Sequence, residues 1–194
     1  GRLKWLQVMG AGVDWALVPE LPEHVQITRA PGVFGPWMAE YVLAWCLWVT
    51  QRLKPYRDAQ RQRRWDDHVL PDRLGGKTLT IVGLGDIGRD IARAARGLGM
   101  RVLGVSRRRR PVREATRMYP VSAMTRALRE ADFVVLLLPL TPETRGIIGA
   151  DALAAMKSTA WLINIARGAV ADEGALMQAL EQRRIAGAVL DVFD

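Results

Sequence analysis

The residues of this chain best placed to do chemistry begin with a glycine turn, Gly83-Leu84-Gly85-Asp86-Ile87-Gly88. It follows an apolar run at 79–82 and opens a helical pattern in which Ile87, Ile91, Ala95 and Leu98 share a face. Gly99 stops that helix, and 101–105 reads as a second buried strand. A G-x-G-x-x-G turn in this strand–turn–helix–strand setting is a dinucleotide fingerprint. Gly83 permits the tight turn, Gly85 lets backbone approach a pyrophosphate, and Gly88 lets the helix pack close on the strand. The helix N-terminus then offers N–H groups and the positive end of its dipole to the phosphates.

Three further positions carry charge where a bound dinucleotide would need it. The second strand ends in Ser106, followed by Arg107, Arg108, Arg109 and Arg110. An acidic residue about twenty positions past the glycines would bind a ribose 2′-hydroxyl. A serine with arginines attracts a 2′-phosphate instead, so NADP is expected, with NAD possible; the alternative is a basic loop with no ligand. Asn164-Ile165-Ala166-Arg167-Gly168 places an arginine at a strand's carboxyl end, where a guanidinium can hold a carboxylate through two N–H···O bonds. The alternative for Arg167 is a structural ion pair with a neighbour such as Asp172 or Glu173. Asp191 ends the last strand and could accept from a carboxamide.

The elements that must position these residues follow from the hydrophobic pattern. Strands at 79–82, 101–105, 133–138, 160–165 and 186–192 alternate with helices at 87–98, 122–129, 150–156 and 173–182, with Ser122 as a cap and a weaker strand at 118–121. That alternation predicts an α/β fold with a doubly wound parallel sheet, whose ligands bind outside the carboxyl ends of the strands. The loops at 139–144, 164–168 and 191 onward are therefore the ones to watch. Pro36 opens a helix apolar nearly all round (Trp37, Met38, Tyr41, Val42, Trp45, Trp48, Val49, Leu53), as in an interlayer or subunit contact. Pro55 ends it and starts another helix at 56–65, dense in arginine and glutamine, the alternative being a solvated face. Residues 1–35 hold two short strands, 3–8 and 25–28, too little to bury a core alone.

Composition narrows the classes. Hydrophobic residues make up 49% of the 194, enough for a core. Cys46 is the one cysteine, so no internal disulfide forms and a reducing, cytoplasmic setting is the default. The apolar run at 41–49 is shorter than the ~20 residues that span a bilayer, so no membrane partner is expected. A net charge of +8 invites nucleic acid, but the arginines are spread and no nucleic-acid motif accompanies them. No metal is expected.

These stretches together resemble the D-isomer-specific 2-hydroxyacid dehydrogenases, in particular the glyoxylate/hydroxypyruvate reductase branch. The resemblance is carried by Gly10-Ala11-Gly12-Val13-Asp14, Met38-Ala39-Glu40-Tyr41-Val42-Leu43, the glycine turn, and 138–144 with Arg145-Gly146. Asn164 to Gly168 and Leu190-Asp191-Val192-Phe193 complete it, in family order along the chain. It implies a Rossmann-type cofactor domain at 36–194 and the end of a truncated α/β substrate domain at 1–35. It also implies hydride transfer between NADPH or NADH and a small 2-oxo or 2-hydroxy acid such as glyoxylate or hydroxypyruvate. By the same resemblance, the backbone N–H groups of Ala11 and Gly12 bind the substrate carboxylate. Arg167 binds that carboxylate and orients the keto oxygen, and Asp191 holds the nicotinamide amide. Asp86, Ile87, Ser106, Pro139, Thr144, Ile165 and Ala166 line the cofactor, and helix 37–54 matches the hinge and homodimer element.

The departure from the family is at the end of the chain. The family's general acid is a histidine tuned by a glutamate in a Glu-Pro step after Asp-Val-Phe, and the sequence stops at Asp194. His24 and His68 match neither position. The chain is thus expected to be a fragment, inactive by itself although able to bind a dinucleotide. A formate- or phosphite-type dehydrogenase, or a non-catalytic dinucleotide-sensing corepressor, are the other readings of the same scaffold.

Overall fold

The computed structural model describes residues 2–107 and 111–194. Six strands form one parallel sheet: β3 (Thr78–Val82), β4 (Arg101–Ser106), β5 (Arg117–Pro120), β6 (Phe133–Leu136), β7 (Trp161–Asn164) and β8 (Gly187–Leu190). Their order is β5-β4-β3-β6-β7-β8. The chain winds outward from β3 to one edge, returns to β6 beside β3, and winds to the other edge. Between the ends of β3 and β6 the loops diverge, which opens a crevice at the sheet's carboxyl side. A separate parallel pair, β1 (Trp5–Val8) and β2 (Gln26–Arg29), stands apart from this sheet.

Side-chain alternation fills both faces of the large sheet. In β3, Leu79 and Ile81 pack toward α1 (Gly35–Thr50) and α3 (Asp86–Gly97), against Val42, Cys46, Ile91 and Ala95. Val82 points the other way, toward α4 (Met124–Glu130), α5 (Ala150–Ala155) and α6 (Glu173–Glu181). β6 repeats the division, with Phe133 and Val135 on the first face and Val134 and Leu136 on the second. A sheet covered on both sides explains why these strands read as continuous apolar runs. Thr80, fully buried in β3, donates its hydroxyl to the Ala127 carbonyl (3.1 Å). No helix among the described residues is long and apolar enough to cross a membrane.

Several expected boundaries move. Pro55 does not end the first helix; Thr50 does, and Arg52 turns the chain with φ 55° into α2 (Leu53–Arg61), which takes Pro55 into its first turn, where the missing N–H is tolerated. α2 stops at Arg61, leaving Trp65 outside it. Ser122 does not cap α4 but lies in a 3-10 turn before it. Leu98, expected on the buried face of α3, is that helix's C-cap and 45% exposed, while Gly88, Ile91, Ala92 and Ala95 make the face that packs. α1 is less buried than its composition suggests: Trp37 is 72% exposed, and Trp45 packs edge-on between Tyr41 and Trp48 along its half-buried side.

Candidate active site

Gly83 follows β3 with φ 99°, and a Cβ there would meet the Leu137 backbone at 2.8 Å, so only glycine fits this turn. Its N–H donates to Val105 and its carbonyl accepts from Gly85 (2.9 and 2.8 Å), which ties the turn to β4. A Cβ on Gly85 would meet nothing within 4 Å, because the backbone there faces open space. In α3 the Arg89 N–H bonds to the Gly85 carbonyl (3.0 Å), and no side chain caps the helix. The N–H groups of Asp86, Ile87 and Gly88 precede that bond and have no partner within the helix. An uncapped helix end beside an open glycine turn fits a pyrophosphate.

This turn forms one side of a cleft of about 550 Å³. Leu137 to Thr141 and Ile165 to Arg167 continue that side, and Ala11, Gly12, Asp14 and Arg29 come from the segment carrying the small sheet. Buried Asn164 shapes the approach to Arg167: its Oδ1 accepts from Ala166 N–H (3.1 Å) and its Nδ2 donates to the Arg167 carbonyl (3.0 Å). The guanidinium then donates from Nε and Nη2 to the two Asp14 carboxylate oxygens (2.6 and 2.7 Å), and from Nη1 to the Ala166 carbonyl (2.6 Å). Among the described residues, three of its five N–H groups are thus engaged, which leaves two able to donate to a ligand. Hydrogen bonding to Arg167 holds the Asp14 carboxyl below its ordinary range, and the same bond raises Arg167 further. Gly12 lies flat against this group: a Cβ there would fall 1.9 Å from Arg167 Nη2.

Of the residues singled out by sequence, the cleft brings together Ala11, Gly12, Gly83, Gly85, Asp86, Ile87, Gly88, Pro139, Ile165, Ala166 and Arg167. Four lie away from its lining. Ser106 ends β4, half-buried. Arg107 is exposed beyond it, near enough to Glu143 to help its Thr141 hydrogen bond lower that carboxyl. Asp191 is exposed just past β8, with its N–H bonded to the Asn164 carbonyl (3.0 Å). Thr144 turns its hydroxyl into its own loop, donating to the Pro139 carbonyl (2.6 Å) and accepting from Thr141 N–H (2.8 Å). Arg108, with Arg109 and Arg110, lies outside the described residues. Neither histidine lines the cleft; His24 contacts the Leu3 carbonyl and His68 is exposed beside Asp67.

The ion pair open to Arg167 is formed, but with Asp14 and not with Asp172 or Glu173. Asp172 caps α6 through Ala175 N–H, and Glu173 accepts from Asp194 N–H. Asp14 and Arg29 were not singled out, though both flank the quoted motif closely: Asp14 is its last residue, and Arg29 ends the strand paired with the one before it. A larger cleft of about 650 Å³, beside α2 and lined by Tyr56, Trp65 and Leu70 among others, holds none of these groups.

A family model described as D-isomer specific 2-hydroxyacid dehydrogenase, NAD binding domain, matches residues 43–194. The chain belongs to this family. It is therefore an oxidoreductase-family chain with an NAD-binding Rossmann sheet. It is 40% identical to a glyoxylate reductase of Thermococcus kodakarensis, over 100% of this chain and 61% of that protein. A D-isomer specific 2-hydroxyacid dehydrogenase family protein of Aeromonas salmonicida superposes with a TM-score of 0.93 at 40% identity, covering 99% of this chain and 62% of the other. An NADPH-dependent glyoxylate/hydroxypyruvate reductase of Sinorhizobium meliloti, in complex with NADP and sulfate, superposes at 0.90 with 32% identity, covering 99% and 62%. The chain spans about three-fifths of the length of these relatives.

Proposed function

We propose that the cleft is the cofactor and substrate site of an NAD(P)-dependent D-2-hydroxyacid dehydrogenase that reduces a small 2-oxo acid, with glyoxylate and hydroxypyruvate the first candidates. The observation that carries this is the meeting of the glycine turn, the Gly12 backbone and the Asp14-held guanidinium of Arg167 in one space. When bound, the reduced nicotinamide would supply a hydride to the keto carbon, and the oxygen would take its proton from a general acid, the histidine that the family resemblance implies. Arg167, fixed in plane by Asp14 and the Ala166 carbonyl, uses its remaining N–H groups to hold the substrate carboxylate and orient the keto oxygen. Ala11 and Gly12 add backbone N–H donors, and Asp191 accepts from the nicotinamide amide. Leu137, Leu138 and Ile165 give the cleft apolar walls that exclude water. Residues 1–35 belong in this reading to the substrate-binding unit and 36–194 to the cofactor unit.

NADP is the proposed cofactor, because Ser106 and Arg107 stand where NAD enzymes of this fold carry an acidic residue. The reductase of S. meliloti, crystallised with NADP, supports that choice. Exposed Trp37, followed along α1 by the half-buried Tyr41, Trp45 and Trp48, supports a homodimer in which a partner covers this aromatic side. The test is NADPH and NADH oxidation by the whole protein with glyoxylate, hydroxypyruvate and other small 2-oxo acids. Turnover with NADPH preferred is expected, and Arg107→Ala narrows the preference. No turnover with any of them overturns the reading.

A further inference from the structure

Arg29 has no role above, yet it lines the same cleft as Arg167. It is the last residue of β2, opposite Val8, so it leaves the parallel pair beside the loop that carries Ala11 and Gly12. Its Nη1 donates to the Ala11 carbonyl at 2.8 Å. Among the described residues, no other hydrogen bond reaches the backbone of 10–12. Glycine on both sides of Ala11 leaves the flanking torsions weakly restricted, so the peptide between Ala11 and Gly12 turns freely unless something holds it. That peptide is trans, and in a trans peptide the C=O and N–H point in opposite directions. Holding the Ala11 oxygen therefore sets where the Gly12 N–H points.

The charges of the cleft point the same way. Arg167 lies against the α-carbon of Gly12, and Arg29 holds the carbonyl one residue earlier, so two guanidinium groups flank one short stretch of backbone. The charge on Arg167 is matched by Asp14. Asp86 stands at the start of α3, on the sheet side of the cleft. Arg29 makes no ion pair among the described residues, and its side chain is exposed. An anion entering the cleft meets Arg29 as a cation not already answered by a carboxylate.

We infer that Arg29 is a positioning residue for the substrate carboxylate: it aims the Gly12 N–H through the Ala11 carbonyl and supplies the positive charge that draws the anion in. The inference rests on reading the cleft as the site of a 2-oxo acid. A group acting this way strengthens ground-state and transition-state binding alike, so its loss appears in KM more than in kcat.

The experiment compares the whole protein with Arg29→Ala and Arg29→Lys. Three measurements are made: steady-state kinetics on glyoxylate with NADPH, calorimetric binding of oxalate, and the amide resonance of Gly12. Loss of a charge-assisted hydrogen bond is expected to raise the glyoxylate KM and the oxalate Kd ~10–100-fold in Arg29→Ala, with kcat nearly unchanged. Arg29→Lys keeps the charge and one donor, and is expected to recover most of both. The Gly12 resonance is expected to move in Arg29→Ala and return in Arg29→Lys. Unchanged KM and oxalate affinity in Arg29→Ala, or a loss confined to kcat, overturns the inference. If the native protein turns over no 2-oxo acid yet binds oxalate through Arg29, the functional reading falls and the role of Arg29 stands. If it binds no oxalate, both fall.

Discussion

The two sheets of this chain are stabilised in different ways. All five residues of β3 and all four of β6 are buried. In β1 only Val8 is buried, and in β2 no residue is. Trp5 and Trp15 of the smaller segment are 59% and 64% exposed. What links β1 to β2 beyond their ladder is a polar row: Trp5 Nε1 donates to Thr28 Oγ1 (2.7 Å), and that hydroxyl donates to Gln7 Oε1 (2.6 Å). The large sheet can hold its loops in place by burial, whereas the small one adds groups to the cleft without a core of its own. Substitutions in the first should therefore cost stability, and those in the second should cost function with little loss of stability.

The largest effect expected on that contrast is in the core. Ile81→Ala removes a fully buried side chain facing α1 and α3 and is expected to cost ~2–5 kcal/mol by urea denaturation. Trp5→Ala, at an exposed site, is expected to cost less than ~1 kcal/mol. Equal costs would break the comparison. Next is Arg167→Lys, which keeps the charge but loses the planar fork on Asp14. It is expected to lower kcat/KM on glyoxylate ~10–100-fold, with Tm nearly unchanged. An unaltered kcat/KM would remove Arg167 from the site.

Thr144→Val sharpens the comparison within the large sheet's own loops. It leaves the Thr141 N–H and the Pro139 carbonyl without the hydroxyl, at an expected ~1–2 kcal/mol, and Thr144→Ser restores it. If NADPH affinity falls in Thr144→Val while stability does not, Thr144 acts on the cofactor directly and not through its loop.

The smallest effect is one of pH. The Asp14 carboxyl is held below its ordinary 3.8 by Arg167, so its folded value lies under its unfolded one. Its contribution is then complete above the unfolded value and fades as pH falls through the folded one. The Tm difference between the native protein and Asp14→Asn should be level at neutral pH and shrink below about pH 4. The two side chains are 32% and 35% exposed, so the difference is small throughout. A gap that widens in acid would contradict the pairing.

Much of this was legible in the sequence, and what was missed depends on contacts that residue type does not record. Strand and helix periods placed every strand of the large sheet within a few residues, most plainly β3 and β6, where burial on both faces writes a nearly unbroken apolar run. The glycine turn was legible because its constraint is local: Gly83 needs φ 99°, and Gly85 needs open space. Arg167 was legible by its place at a strand end, but its partner was not, since Asp14 approaches from the other sheet. Arg29 was illegible for a different reason: its acceptor, in its own segment, is the Ala11 backbone carbonyl, which leaves no mark on residue type. Thr144 was matched by motif, and only coordinates show its hydroxyl spent within the loop. Trp37 of α1, 72% exposed, looked buried because an apolar residue reads alike in a sequence whether or not anything covers it.

The pairing of Asp14 with Arg167 also bears on the order in which the molecule forms. The two residues are 153 positions apart. Closing a flexible loop of that length costs ~4–5 kcal/mol of chain entropy. A partly exposed ion pair returns about 1 kcal/mol or less. The pair cannot draw its two ends together; it closes only once the large sheet has already brought them near. As the chain leaves the ribosome, Asp14 therefore waits without its partner until β7 has joined β6 and the turn after it has set. Refolding experiments should see the sheet's burial first and the closed cleft last.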